Sequence, residues 1–395
     1  SLFQTDWYID QMKRKAYESD PVPSQLTHDL YKYGTNDYIV IEEVIADTLE
    51  VKQFLDFIAS DNPKTKYKYV LQQQGVDLSQ VRSQDLNASY LPTRHLRIPV
   101  NKENALKSGI VKPKDADKIV PYIDIKVDGG ALYKNRLLML DIVANNEWKR
   151  PICFTGGSFG DDDYLWMKDY LQLDGMCYKL VPIKTEVDRS NPFDMGRVDS
   201  DLMYGKVINW DWGNSGSPDI YHDVETRKNA ITYRSNLARL MEQLINEDKL
   251  EKAEEIADIA MENMPVDYFG YYTLLEPYIS GYYEVGNKEK ARQLFKDVST
   301  KYQENLAYYG SLKTDSQEKL FEDIYTDIQR YKGLVDVLIE YDIEFAETEG
   351  ETFNNYLKLF KHFYGGETEE DEYTPPTDKD IPVDSGLQIE SDSSN

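Results

Sequence analysis

Cysteine is scarce in this sequence: Cys153 and Cys177 are the two among 395 residues. That is too few for a disulfide framework or a multi-thiolate zinc site, and it leaves the redox compartment open. Each lies in an apolar run and reads as a thiol on a buried strand. Histidine is also sparse. His28, His95, His222 and His362 are scattered, with no pair at ligand spacing, so no metal centre and no Cys-His catalytic pair is expected. Cations are in deficit, 45 Lys and Arg against 71 Asp and Glu, for a net charge of −26. That balance argues against nucleic acid and against an anionic membrane surface, both of which need clustered Lys and Arg. No stretch approaches the ~20 apolar residues of a membrane span, so no membrane insertion by this chain is expected. Ser1-Leu2-Phe3 is preceded by no initiator Met, charged leader or apolar signal core, and the chain reads as a piece of a larger parent.

What is present is a chain with two kinds of periodicity. Up to about residue 185, helical and strand patterns alternate. Gln4 to Tyr17 is amphipathic and helical, and Tyr38-Ile39-Val40-Ile41 is a short β-rich run. Val51 to Ala59 places Val51, Phe54, Leu55 and Ile58 on one helical face. His95 to Val100 and Tyr122 to Val127 read as strands. Asp128-Gly129-Gly130 precedes a helix from Leu132 to Asn145, and Ile152 to Thr155 reads as a buried strand. A helix over Asp162 to Leu173 and a strand over Cys177 to Ile183 follow. This alternation predicts an α/β domain, residues 1–185, with a mixed or mostly parallel sheet layer. Residues 186–223 form an irregular connector containing Trp210-Asp211-Trp212-Gly213-Asn214.

From residue 224 to 365 strand signals vanish and an internal repeat emerges. Leu237, Leu240 and Leu244, then Ala253, Ala257 and Ala260, then Pro265, match Leu275, Tyr278 and Tyr282, then Ala291, Phe295 and Val298. The spacings are those of tetratricopeptide helix pairs, at an offset of 38 residues where about 34 is usual. The extra residues fall around Pro265 to Gly270. An ordinary bundle of helical hairpins fits the same pattern. Two units cannot bury a continuous core alone, so Tyr309 to Tyr341 and Phe353 to Phe363 are expected to cap them. Residues 366–395 are an acidic tail: from Glu367 to Asn395 there are ten acids and one Lys, a composition that stays disordered.

Candidate sites are few. Gly156-Gly157-Ser158-Phe159-Gly160 lies between a strand and a helix, where phosphate loops sit, but Asp161, Asp162 and Asp163 would repel a phosphate. No nucleotide fingerprint follows, so a turn with acidic N-caps is the plainer reading and no cofactor is expected. Arg150, Ser158 and the three aspartates are the ligand candidates of the α/β domain, with a surface ion pair the plainer role for Arg150. On the helical domain Asn236, Arg239 and Gln243 are candidate partner contacts. Asn87-Ala88-Ser89 matches a glycosylation sequon, a tripeptide common by chance. No catalytic constellation is visible, and the motifs alone describe a binding or scaffolding module.

Several segments together carry a resemblance. They are Ser1 to Ile9; Asn145-Asn146-Glu147-Trp148-Lys149-Arg150-Pro151; Asp169 to Gly175; Leu180 to Lys184; and Arg234 to Leu240. Over residues 1–365 the chain resembles the soluble C-terminal half of the multi-spanning, protein O-mannosyltransferase-like membrane proteins of the Bacteroidetes. The resemblance implies that the transmembrane helices and the acidic catalytic loop belong to a part N-terminal to Ser1. It implies an extracytoplasmic, periplasmic position on the inner membrane, with the transmembrane half and acceptor proteins as partners. It also implies a parent that is a protein O-glycosyltransferase, with this half an accessory region rather than the catalyst. A ligand of the α/β domain itself, a sugar or nucleotide sugar, or a purely structural brace, are the alternatives.

Overall fold

A computed structural model describes residues 20–31, 37–155, 165–187 and 195–363. The chain divides into two compact units, Ser1–Asp199 and Ser200–Asn395. The expected N-terminal helix, the Gly156–Asp163 turn and the acidic tail lie outside the described residues.

The first unit is α/β, as its alternating pattern predicts. Its strands are β1 (Tyr38–Ile41), β2 (Leu49–Glu50), β3 (Tyr90–Leu91), β4 (His95–Pro99), β5 (Tyr122–Lys126), β6 (Ala131–Tyr133), β7 (Cys153–Thr155), β8 (Leu171–Asp174), β9 (Cys177–Leu180) and β10 (Arg197–Val198). Among the described residues they form three small sheets of order β3-β1-β6, β2-β4-β5 and β10-β8-β9-β7. Each mixes directions: β1–β3, β2–β4 and β8–β10 run parallel, while β1–β6, β4–β5, β7–β9 and β8–β9 run antiparallel. Two principal helices pack against each other, α1 (Val51–Ala59) and α2 (Lys134–Asn146).

The core of this unit follows directly from the patterning. In β4 and β5, Leu96, Ile98, Ile123 and Ile125 point inward while their neighbours face out, the period of two that a half-buried strand requires. In α1, Val51, Phe54, Leu55 and Ile58 are all fully buried. Leu137, Leu138, Leu140, Val143 and Ala144 supply the face of α2. Each of these side chains except Ala144 contributes roughly 1.5–3 kcal/mol by leaving water.

Two expectations for this unit fail. The helix over Asp162 to Leu173 is replaced by a 3-10 turn, Leu165–Tyr170, running into strand β8. Leu171-Gln172-Leu173-Asp174 alternates with period two, and that pairing with β9 overrides its helical propensity. The two thiols are not buried: Cys153 is exposed on β7, a three-residue edge strand, and Cys177 is intermediate at the start of β9. The stretch read as an irregular connector holds β10 and helix α3 (Ser200–Val207).

The second unit is all-helical among its described residues. After α3 it contains α4 (Val224–Asn246), α5 (Leu250–Asn263), α6 (Glu276–Glu284), α7 (Lys288–Gly310), α8 (Phe321–Tyr341) and α9 (Ile343–Leu357). They pack as three hairpins, α4/α5, α6/α7 and α8/α9, with α6 beside both α4 and α8. Pro265 aside, the twelve apolar positions named in the two sequence units are 3% exposed or less. The inserted residues between them form a short helix, Val266–Phe269, and a 3-10 turn, Tyr272–Leu274.

The expected caps take another form. Tyr309 ends α7 rather than starting a cap, and α8/α9 make a third hairpin. Tyr331, Leu334 and Leu338, then Ala346, Gly350 and Phe353, are buried at the same internal spacings as the first two units. The connection hides this. Nine residues separate Leu244 from Ala253 and Tyr282 from Ala291, but eight separate Leu338 from Ala346.

Candidate functional site

The Asn145–Pro151 segment is a bracket at the end of α2. Asn145 Nδ2 donates to Asp141 Oδ1 at 2.8 Å, and Asn146 Nδ2 to the Arg150 carbonyl at 2.6 Å. Glu147 pairs with Lys52 and Lys149, and the Trp148 indole N–H donates to the Pro99 carbonyl at 2.9 Å. Glu147 and Trp148 have φ of 49° and 62°, two successive left-handed residues that each cost of the order of 1 kcal/mol. The surrounding hydrogen bonds hold them there.

Among the described residues Arg150 forms no ion pair. Its two guanidinium nitrogens donate to the carbonyls of Asp20 and Pro21, each at 3.0 Å. The chain then continues to a second anchor, the fully buried Asp141. Its carboxylate accepts from the backbone N–H groups of Gln25 and Leu26, the Ser24 hydroxyl and the Tyr31 hydroxyl. Lys134 closes the far end, donating from Nζ to the Tyr31 carbonyl at 2.7 Å. Three charged side chains thus hold the 20–31 strap along its length, and burial beside Asp141 drives the Tyr31 hydroxyl far above its ordinary pKa. The crevice beside Arg150, bordered by Val143, Asn146, Trp148 and Leu180, leaves no room for a water molecule. Ser158, Asp161, Asp162 and Asp163 lie outside the described residues.

The three candidate contacts of the helical unit share α4. Asn236 is 4% exposed, so its amide belongs to the interior. Arg239 and Gln243 are half-buried one helical turn apart, and Gln243 Nε2 donates to Glu247 Oε1 at 2.8 Å. Glu242 lies between them, and Glu276 lies on α6. Desolvation raises both carboxyls, helped by Glu284 and Asp336 respectively.

A residue that pattern reading passed over organises the same helices. Arg234 is completely buried and donates to the carbonyls of Met264, Gly270 and Tyr271. Burial pushes it down to about 10, so it remains a cation at neutral pH. Tyr278 returns a bond to the Arg234 carbonyl at 2.6 Å. The available signal was an Arg on the apolar side of a helix, before a neighbouring segment rich in unpaired carbonyls. Among the described residues no group of three or more His, Cys, Asp or Glu is placed to hold a metal ion. No described helix is long and apolar enough to cross a membrane.

The α/β unit, with its bracket and strap, is the part of the chain that known families recognise. Residues 1–202 match the family described as TMEM260-associated domain 2, and the chain belongs to that family. No curated protein and no solved structure matches it.

Proposed function

We propose that this chain is the extracytoplasmic accessory region of a membrane-embedded, glycosyltransferase-like protein, and that its helical unit presents a surface to an acceptor protein or assembly partner. The observation that carries this reading is the family match over residues 1–202, a domain defined by its association with TMEM260. Two further features support it. The polar side chains of the bracket bond the chain's own backbone and neighbouring side chains, which is the work of a scaffold rather than of a catalyst. The helical unit is built of stacked hairpins, tetratricopeptide-like in the spacing of their buried positions, an architecture suited to extended binding faces. Arg239 and Gln243 on α4 are the contacts we assign to the partner, with Asn236 supporting them from the interior. Glycosyl transfer, on this reading, belongs to the parent's transmembrane half, and the periplasm is where this region works.

The test compares the full-length parent with a version lacking this region, both expressed in the native host, by mass spectrometry of extracytoplasmic glycoproteins. Loss of modification with the truncated protein still inserted in the membrane is the expected result. Equal modification in both, and in a strain lacking the gene, overturns the reading. Partner capture by wild type against R239A/Q243A then tests the α4 contacts separately; unchanged capture removes them.

A further inference from the structure

We propose that Cys153 and Cys177 form a reversible intramolecular disulfide, which makes the β7 edge of the β10-β8-β9-β7 sheet redox-sensitive. The argument starts from register. Cys153 lies opposite Lys179 and Thr155 opposite Cys177 in the antiparallel β7–β9 ladder. Directly paired residues share a face, and so do residues two apart, so both thiols project from the same side of the sheet. The Leu180 N–H donates to the Ile152 carbonyl at 2.9 Å, which frames Cys153–Lys179 as a non-hydrogen-bonded pair. Thr155–Cys177 is the next such pair. These are the places where antiparallel strands come closest, with Cα atoms about 4.5 Å apart.

The two cysteines are therefore diagonal neighbours, a relationship that places Cα atoms about 7–8 Å apart. A disulfide spans up to about 6.8 Å, so closure takes a displacement of the order of 1 Å. The strand that must move is the one least held. Among the described residues β7, three residues long, has a single partner strand and lies at the outer edge of its sheet. Both thiols can be reached: Cys153 is exposed, and Cys177 is intermediate, its thiol resting on the Asp174 carbonyl at 3.4 Å. The sequence holds no third cysteine to compete.

The oxidant is an external disulfide, small-molecule or protein. The Cys153 thiolate attacks one of its sulfurs, forming a mixed disulfide and expelling one thiolate. The Cys177 thiolate then attacks Cys153 Sγ, forming the Cys153–Cys177 bond and expelling the second. The chain loses two protons and two electrons, and the external disulfide becomes two thiols.

The experiment equilibrates the folded full chain with reduced and oxidised glutathione in varied ratio, alkylates what remains, and reads intact and peptide masses. The expected result is loss of both thiols together at one midpoint, a mass lower by two hydrogens, and a linked Cys153–Cys177 peptide. C177A is expected to stop at one glutathione on Cys153. Wild type that retains glutathione on either cysteine, dimerises through Cys153, or keeps both thiols under full oxidation overturns the proposal. The wild-type measurement decides the matter even if C177A folds poorly.

Discussion

Arg292 on α7 and Asp342, the single residue between α8 and α9, meet through a two-pronged ion pair, with Nε at 2.6 Å from Oδ2 and Nη2 at 3.0 Å from Oδ1. Lys288 adds a contact at 2.9 Å and the Tyr283 hydroxyl one at 3.2 Å. The arrangement has a counterpart one hairpin earlier. There Lys290, just after the α6/α7 turn, reaches back to Glu254 and Asp258 on α5. Before that, Lys249 in the α4/α5 turn pairs with Asp201 on α3. Each turn is thus locked by charge to the helix that precedes its hairpin.

The Asp342 lock predicts an acid-sensitive stability. Burial alone would raise this carboxyl, but the bonds from Arg292 and Lys288 outweigh it and hold it at about 2. The folded pKa lies below the ordinary 3.8, so the contribution is complete above about pH 4 and is lost as pH falls towards 2. D342N is expected to cost roughly 2–4 kcal/mol at pH 7, since it leaves a guanidinium beside an uncharged, buried amide. Urea titrations of both proteins at pH 7 and pH 2.5 check this. The gap should narrow at the lower pH.

Glu242 predicts the opposite sign. Its carboxyl is raised by desolvation and by Glu284, with Arg239 working against both. A raised folded pKa means stability that is present at low pH and diminishes as pH rises through the carboxyl range. E242Q should therefore melt at a higher temperature than wild type at pH 7, with the advantage gone by about pH 4. Differential scanning calorimetry at the two pH values reads it directly.

R234M tests the buried clamp. The substitution preserves volume but strands the carbonyls of Met264, Gly270 and Tyr271, at a cost on the order of 3–5 kcal/mol. R234K is expected to rescue only part of it, because one ammonium cannot copy the fork of the guanidinium. Equilibrium unfolding of the three proteins, followed by far-ultraviolet dichroism, ranks them.

The strap has its own signature. D141A removes the acceptor shared by Gln25 N–H, Leu26 N–H, Ser24 and Tyr31, and should speed amide exchange at residues 24–31 by at least tenfold relative to the helical unit. R150A should loosen the segment around Asp20 and Pro21 while leaving Gln25 and Leu26 protected. Hydrogen exchange with mass-spectrometric readout separates the two anchors.

Local periodicity made part of this architecture legible. β1 and α1 fall on the residues that alternation and helical spacing assign, and β4 and β5 differ only at their ends. The paired spacing around Leu237 and Leu275 located two of the three hairpins. The third was hidden because a one-residue turn at Asp342 shifts its phase and Gly350 stands where an apolar side chain was sought. The division into three sheets was not legible either, since strand partners are chosen by tertiary packing. Arg150 was noticed but could not be placed: its acceptors lie about 130 residues away and are main-chain carbonyls, which carry no side-chain signature.

The lengths of the helices bear on how this unit can be cut. α7 has 23 residues and α6 has nine, so at 1.5 Å per residue one spans about 35 Å and the other about 14 Å. The remainder of α7 has no cover from its own hairpin partner, and α8 supplies it. A boundary drawn after Gly310 would remove Tyr331, which stacks on Tyr302 of α7. For expression of a shorter protein, the second and third hairpins form one indivisible segment, and the chain should be kept at least to Phe363.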